Sequence, residues 1–258
     1  NYECIKLKSN EWFQISDKVK IKSFADWNQD AALLVDILGK DLIVNTNDGN
    51  LRGWSSTIKK IIKPYKNKFL LKLINWGDAD MINFYDEDGS FILPHAAEQP
   101  AVGAAYTRVM HNLNCNFAIP FSSFHQYVRE DSIHMNKFST PLEKHYENFD
   151  DKYGELLPAF ISWDSETEDY KQIKVDKVPL RIITPEECGD NYSDHLTLED
   201  KEKITHYFKS FGTIPDHFGS IVFNVGNEDF GIKLSNKDPS LRFEAPRGSL
   251  MKSVEYEI

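Results

Sequence analysis

The sequence has few cysteines, no long apolar run and no signal segment, and each shortage excludes a class of protein. Its three cysteines, Cys4, Cys115 and Cys188, are far apart and form no CxxC pair. The sequence therefore predicts neither a disulfide framework nor a cysteine zinc site. No stretch approaches the roughly 18 apolar residues of a membrane helix, and no charged, then apolar, leader opens the chain. We expect a protein of the reducing cytoplasm without a membrane partner.

Basic residues are also in short supply. The chain has 40 acidic against 30 basic residues, and its formal net charge is −10. A broad nucleic-acid interface needs a surplus of Lys and Arg to replace counterions, so we expect no nucleic-acid partner. The motifs GxGxxG, GxxxxGK[ST] and GxSxG do not occur either. Their absence leaves phosphate-loop and serine-hydrolase mechanisms without support.

The first two thirds of the chain contain short apolar runs that alternate between strand and helix patterns. Gly39-Lys40 separates the first two runs and predicts a hairpin turn. Buried strands that alternate with helices predict an α/β layer, in which functional groups gather at the carboxyl ends of the strands. In chain order we predict strands 31–37 and 41–46, helix 56–65, strand 69–74, helix 103–113 and strand 117–121.

The last third predicts a helix and a small sheet. Residues 198–211 form an amphipathic pattern, and Thr197 followed by Asp200 resembles a capping box. Four alternating segments come next and predict a small antiparallel sheet: 220–225, 229–234, 241–245 and 252–258. We therefore divide the chain into an α/β part, residues 1–190, and an appended helix with strands, residues 191–258. The alternation stops abruptly at the last residue and the first residue is not Met, so we expect sequence beyond both ends.

The segment Asn47-Asp48 is the most informative candidate site. An aspartate released from an apolar strand into a Gly/Asn loop is well placed to bind a divalent cation, for which carboxylate oxygen is a suitable ligand. The alternative is that Asp48 only hydrogen-bonds the turn after its strand. The other candidates for a pocket are Asp78, Asp80, Ser122, His125, Asp131 and His134. The alternative for the two aspartates Asp78 and Asp80 is capping of the following turn, and the alternative for the two histidines is a solvated or hydrogen-bonded place in a loop.

Two parts of the sequence resemble the metallo-β-lactamase superfamily. Residues 28–34, NQDAALL, and residues 45–48, NTND, are similar to its "DSAL" strand and the following strand that ends in "ND". Residues 118–124, AIPFSSF, with Glu130-Asp131-Ser132 and Asn136 downstream, are similar to the "PFAS" segment and later "EN" and "N" of the branch that contains CMP-N-acetylneuraminate hydroxylase. The resemblance covers roughly residues 10 to 145.

This resemblance implies the C-terminal part of an αββα sandwich, with the appended helix and small antiparallel sheet after it. It also implies that Asp48 is a metal ligand, and that the complete protein holds zinc or iron and acts on a small-molecule substrate as a hydrolase or an oxygenase. The superfamily's HxHxDH cluster lies upstream of the "DSAL" strand, and none of the eight histidines here shows that spacing. We therefore expect an N-terminal segment or a partner chain to complete the site. We also expect Asp48 and Ser122 to lie in loops on the same edge of one sheet.

A second, non-catalytic function is open. The helix that begins at residue 198 and the strands after residue 220 are similar in architecture to half of a sterol-carrier-type module. Binding of an apolar ligand, or contact with another subunit, is the alternative to the enzyme.

Overall fold

The computed structural model describes residues 4–27, 30–47, 49, 51, 53–73, 75, 84–86, 88–98, 101–176 and 178–256. It confirms a mixed α/β protein with a large mixed sheet. The chain forms two compact units, of which the first comprises Asn1–Tyr127 and His134–Pro179. The second comprises Val128–Ile133 and Leu180–Ile258. The predicted division between residues 190 and 191 falls within this second unit.

A seven-stranded sheet organises the first unit, in the order β1-β2-β3-β4-β5-β8-β9. β1 to β4 form an antiparallel meander, and β4, β5, β8 and β9 are successive parallel neighbours. The predicted hairpin is confirmed, because β3 pairs antiparallel with β4 and Leu38 and Gly39 turn the chain at positive φ. The strands of this unit are β1 Trp12–Ser16, β2 Val19–Ala25, β3 Ala31–Ile37, β4 Asp41–Asn47, β5 Asn67–Leu73, β6 Phe84–Tyr85, β7 Phe91–Ile92, β8 Phe117–Phe121, β9 Glu155–Leu156, β10 Ile161–Asp164 and β11 Asp169–Gln172.

Two amphipathic helices, α1 Ser55–Ile62 and α2 Val102–Leu113, cover one face of this sheet. Their fully buried side chains pack against Leu42, Val44 and Leu70 of the central strands. Each such leucine or isoleucine contributes about 1.5–3 kcal/mol through its burial. On the strands, ring contacts of 4.8–5.3 Å join Phe69, Phe117 and Trp163. Trp163 comes from the β10–β11 hairpin, so this hairpin adds an aromatic layer to the sheet.

The second unit packs two helices against a three-stranded sheet of order β13-β12-β14. The predicted helix is confirmed, together with its capping box between Thr197 and Asp200. Its core includes the buried residues Ile204, Phe223 and Met251. The elements are α3 Leu198–Ser210, β12 Ser220–Val225, β13 Glu228–Lys233, β14 Ser240–Glu244 and α4 Arg247–Glu255.

Two features of the predicted small sheet are wrong. Residues 252–258 were expected to form a strand, but Lys252 lies in helix α4, which buries Leu250, Met251 and Val254. These residues recur at helical spacing, so they form one apolar stripe. The sheet is also not wholly antiparallel, because β14 runs parallel to β12 while β13 pairs with it antiparallel. A local alternation of side chains predicts a strand but does not give the direction of its partner.

Among the described residues, no helix is both long and apolar enough to cross a membrane.

Candidate functional site

The carboxyl ends of β4, β5 and β8 meet at one edge of the first unit's sheet. The register pairs Asn45 with Leu71 and Leu71 with Ile119, all in parallel strands. The end of β4 at Asn47 and the start of the loop at Ser122 therefore share this edge. The strands that precede Asp48 and Ser122 in the sequence thus end at the same edge. Asp48 itself lies outside the described residues, so its own position stays a prediction.

The backbone at both strand ends turns into the left-handed region. Asn47 has φ of 40°, directly after a break in the β4–β5 register, and Ser122 and Ser123 have φ of 62° and 54°. This conformation costs a non-glycine residue about 1–2 kcal/mol. Such backbone persists where the surroundings determine it, and it clusters at functional sites. The two strand ends that carry candidate residues therefore share an uncommon local geometry.

Asn75 ties the loops of this edge together. Its side chain is buried, and its Nδ2 donates to the carbonyl oxygens of Ser123 at 2.9 Å and Thr140 at 3.3 Å. Its Oδ1 accepts from the Thr140 backbone N–H at 2.6 Å. One side chain after β5 thus fixes the loop after β8 and the segment that follows it. The sequence does not single out Asn75 as a supporting residue, because its partners lie 48 and 65 residues away.

Tyr106 provides a second support from helix α2. Its side chain is fully buried, and its hydroxyl donates to the carbonyl oxygen of Lys72 at 3.0 Å near the end of β5. Burial raises the pKa of this phenol well above its ordinary value. The hydroxyl is therefore a neutral donor that holds the strand end.

The loop after β8 carries two candidate histidines, and both are exposed. The ring of His125 lies 5.4 Å from that of Tyr127, and the ring of His134 lies 6.3 Å from that of Phe91. Asn136 exchanges side-chain hydrogen bonds of 2.8 and 2.7 Å with the Tyr127 backbone. The segment that carries His134, the 3-10 helix Ile133–Phe138, is therefore tied to the residue two positions after His125.

Asp131 belongs to the second unit, whereas His134 belongs to the first. The Asp131 carboxylate accepts hydrogen bonds from Arg129, the closest at 2.7 Å, and from the Tyr192 hydroxyl at 2.9 Å. The hydrogen bond from Arg129 is the main cause that lowers the pKa of Asp131. Arg129 also pairs with the buried Asp190, so this network holds residues 128–133 in the second unit.

The remaining candidates, Asp78 and Asp80, lie outside the described residues. Within the part of the chain that the structure describes, no three His, Cys, Asp or Glu side chains lie together as metal ligands would. What this edge offers is a set of oxygen-bearing side chains at the strand ends. Thr46 is one of these residues. It is buried, and its hydroxyl donates to the Leu71 carbonyl at 3.2 Å.

Comparison with known proteins adds no relative to this description. No protein-family model, no curated protein and no solved structure matches the chain.

Proposed function

We propose that the chain forms the C-terminal part of a metal-dependent hydrolase of the metallo-β-lactamase superfamily, with Asp48 as a metal ligand. The observation that carries the proposal is the common carboxyl edge of β4, β5 and β8. Asp48 directly follows β4, and Ser122 directly follows β8. Ligand sites of open α/β sheets lie outside the carboxyl ends of their strands.

The chemistry of this edge fits a divalent cation. Buried polar side chains, Thr46 and Asn75, line the strand ends, and both are hydrogen-bonded to backbone carbonyls. If the Asp48 carboxylate lies beside these polar groups, as proposed, it is not forced into an apolar core, where an unpaired charge costs several kcal/mol or more. A bound zinc or iron ion would activate water for attack on a small-molecule substrate.

A catalytic zinc site takes about three protein ligands. The proposal assigns the remaining ligands to a histidine cluster upstream of residue 1 or on a partner chain. In the branch of the sialic-acid hydroxylase, iron would replace zinc and an electron-delivering module would be needed. Because no such module is recognisable in these 258 residues, we favour hydrolysis.

The test is the metal content of the protein expressed from the coding sequence extended upstream of Asn1. We expect bound zinc or iron, and we expect Asp48→Asn to weaken binding at least about tenfold, because a ligand charge is lost. Asp17→Asn is the matched control, since Asp17 is an exposed turn residue of the same unit. Its metal content should equal that of the parent protein.

Two results would argue against the proposal. An Asp48→Asn variant that retained metal like the control would make Asp48 a turn residue only. A metal-free protein that co-purified with lipid would instead favour the apolar-ligand alternative.

A further inference from the structure

The opposite edge of the same sheet carries a cationic cleft. It has a volume of about 220 Å³ and lies between the C-terminal ends of α1 and α2 and the first residues of β5. Its lining residues are Lys59, Ile62, Lys63, Lys68, Asn112, Leu113 and Asn114. A wider, more open cleft of about 650 Å³ shares Lys59 and Asn112 with it and adds Arg108, Val109 and His111. Both together reach the size of ordinary small-molecule sites, about 300–1,000 Å³.

Lys68 is the central residue of this cleft. It lies on β5 opposite the buried Leu42, and the whole residue is only 9% exposed. Its backbone is paired with Asn116, whose side chain accepts from the Lys68 N–H at 3.1 Å. Its ammonium, however, has neither an ion-pair partner nor a hydrogen bond among the described residues. A lysine that is largely buried, and whose ammonium has no protein partner, offers a position that an anion would occupy favourably.

The charges around Lys68 are all of one sign. Lys59, Lys63 and Arg108 also line the clefts and form no ion pair with a described residue, and no acidic side chain is among the lining residues. The C-terminal ends of α1 and α2 contribute about half a negative charge each. They offset about one of the four positive charges, which leaves a clear positive excess.

The sequence concentrates this charge. Residues 51–77 and 99–129 contain no Asp or Glu, although the chain has 40 acidic residues in all. The two segments supply α1, β5 and α2, which together build the cleft. An acid-free surface within a protein of net charge −10 focuses an attractive potential on small anions.

We propose that this cleft binds the phosphate group of a small molecule. The ammonium groups of Lys63 and Lys68 hold the phosphate in the narrow cleft, as point charges that donate hydrogen bonds. The side-chain amides of Asn112 and Asn114 add neutral donors, and the wider cleft beside Arg108 holds the rest of the molecule. A long polyanion is disfavoured, because the strongly acidic remainder of the chain repels it.

This site is independent of the proposed metal site, since it lies at the amino edge of β5 and not at the carboxyl edge. Either proposal can fail without the other. Isothermal titration with inorganic pyrophosphate at low ionic strength tests it on the chain as it exists. We expect one site per chain, with an affinity that falls as KCl is added.

The test variant is Lys63→Gln/Lys68→Gln, and the matched control is Lys18→Gln/Lys209→Gln. Lys18 and Lys209 are exposed, are not among the lining residues of either cleft, and give the same change in net charge. We expect the test variant to bind about 100-fold more weakly, at about tenfold for each charged hydrogen-bond donor removed. The control should bind like the parent.

A second variant, Lys59→Gln/Arg108→Gln, removes only exposed rim charges and therefore keeps the test decisive if the Lys68 variant does not fold. It should also weaken binding, by about tenfold or more. The proposal is overturned if the parent does not bind pyrophosphate, or if both cleft variants bind like the control. Tighter binding of a short single-stranded oligonucleotide than of pyrophosphate would overturn the small-molecule assignment.

Discussion

At the scale of single residues, buried carboxylates fix turns of the first unit by accepting several hydrogen bonds each. Asp41 accepts from Asn67 Nδ2 at 2.8 Å, from Trp163 Nε1 at 3.3 Å and from the Ser165 hydroxyl. The donors lie 26 to 124 residues away along the chain. A sequence pattern makes Asp48 a candidate because its signal is local, but it cannot single out Asp41, whose role depends on partners that only the fold brings near.

The environment of Asp200 in the second unit predicts that the free energy of unfolding depends on pH. Hydrogen bonds, chiefly from Arg247 and then from Thr197, lower the pKa of Asp200 to about 2. A carboxyl group whose pKa is lower in the folded than in the unfolded protein stabilises the fold at pH values above its unfolded pKa of about 4. This stabilisation is lost as the pH falls toward 2. We therefore expect a loss of about 1–2 kcal/mol in unfolding free energy over that interval.

Urea unfolding followed by far-UV circular dichroism measures this change. Asp200→Asn should be less stable than the parent at pH 7, and its stability should depend less on pH between about 4 and 2. Asp238→Asn, at an exposed position of the same unit, should keep the parent's dependence. Equal slopes for the parent and the Asp200 variant would show that another group titrates.

At the scale of elements, local sequence patterns predict the helices that have a capping motif or a clear apolar stripe. The capping box predicted the start of α3, and the apolar stripe predicted α2 to within one residue. Helix α1 ends at Ile62, three residues before the predicted end, and Pro64 follows shortly after. The sequence does not predict helix α4, because residues 252–258 alternate like a strand and mask the helical spacing of Leu250, Met251 and Val254.

Replacing Gly103 in helix α2 with alanine should lower the stability of the fold, although helix propensity alone favours alanine. A Cβ at this position would lie 2.3 Å from the Glu147 carbonyl oxygen and 2.8 Å from the Phe149 nitrogen. Replacing glycine with alanine in a helix ordinarily stabilises by about 1 kcal/mol, but overpacking against backbone costs about 1–3 kcal/mol. Because the close contacts are with backbone atoms that cannot easily give way, we expect Gly103→Ala to destabilise the first unit, by up to about 2 kcal/mol net.

Tryptophan fluorescence during urea unfolding measures this effect, because all five tryptophans belong to the first unit. Gly212→Ala lies in the second unit, where a Cβ meets nothing within 4 Å, and it should leave the tryptophan transition of the first unit unchanged. A Gly103→Ala variant as stable as the parent would mean that the 147–149 segment does not pack closely on α2.

At the scale of the whole molecule, alternating runs predicted the α/β layer and its parallel strands. They could not predict that residues 128–133 join the second unit. That placement depends on Arg129, which reaches Asp190 61 residues later, and on a bridge between Arg129 and Ile183. The sequence likewise predicts that the candidate site lies at strand ends. The hydrogen bonds of Asn75 and the cationic cleft are not predictable in this way, because both depend on contacts between distant segments.

The central claim is a metal at the carboxyl edge of β4, and one measurement tests it most directly. It is an anomalous difference map, recorded at the zinc or iron absorption edge, from crystals of the protein extended upstream of residue 1. The account predicts one strong peak within coordination distance of the Asp48 carboxylate, about 2.0–2.2 Å for zinc, at the edge where β8 ends. A map without a peak, or with a peak that Asp48 does not contact, would contradict it.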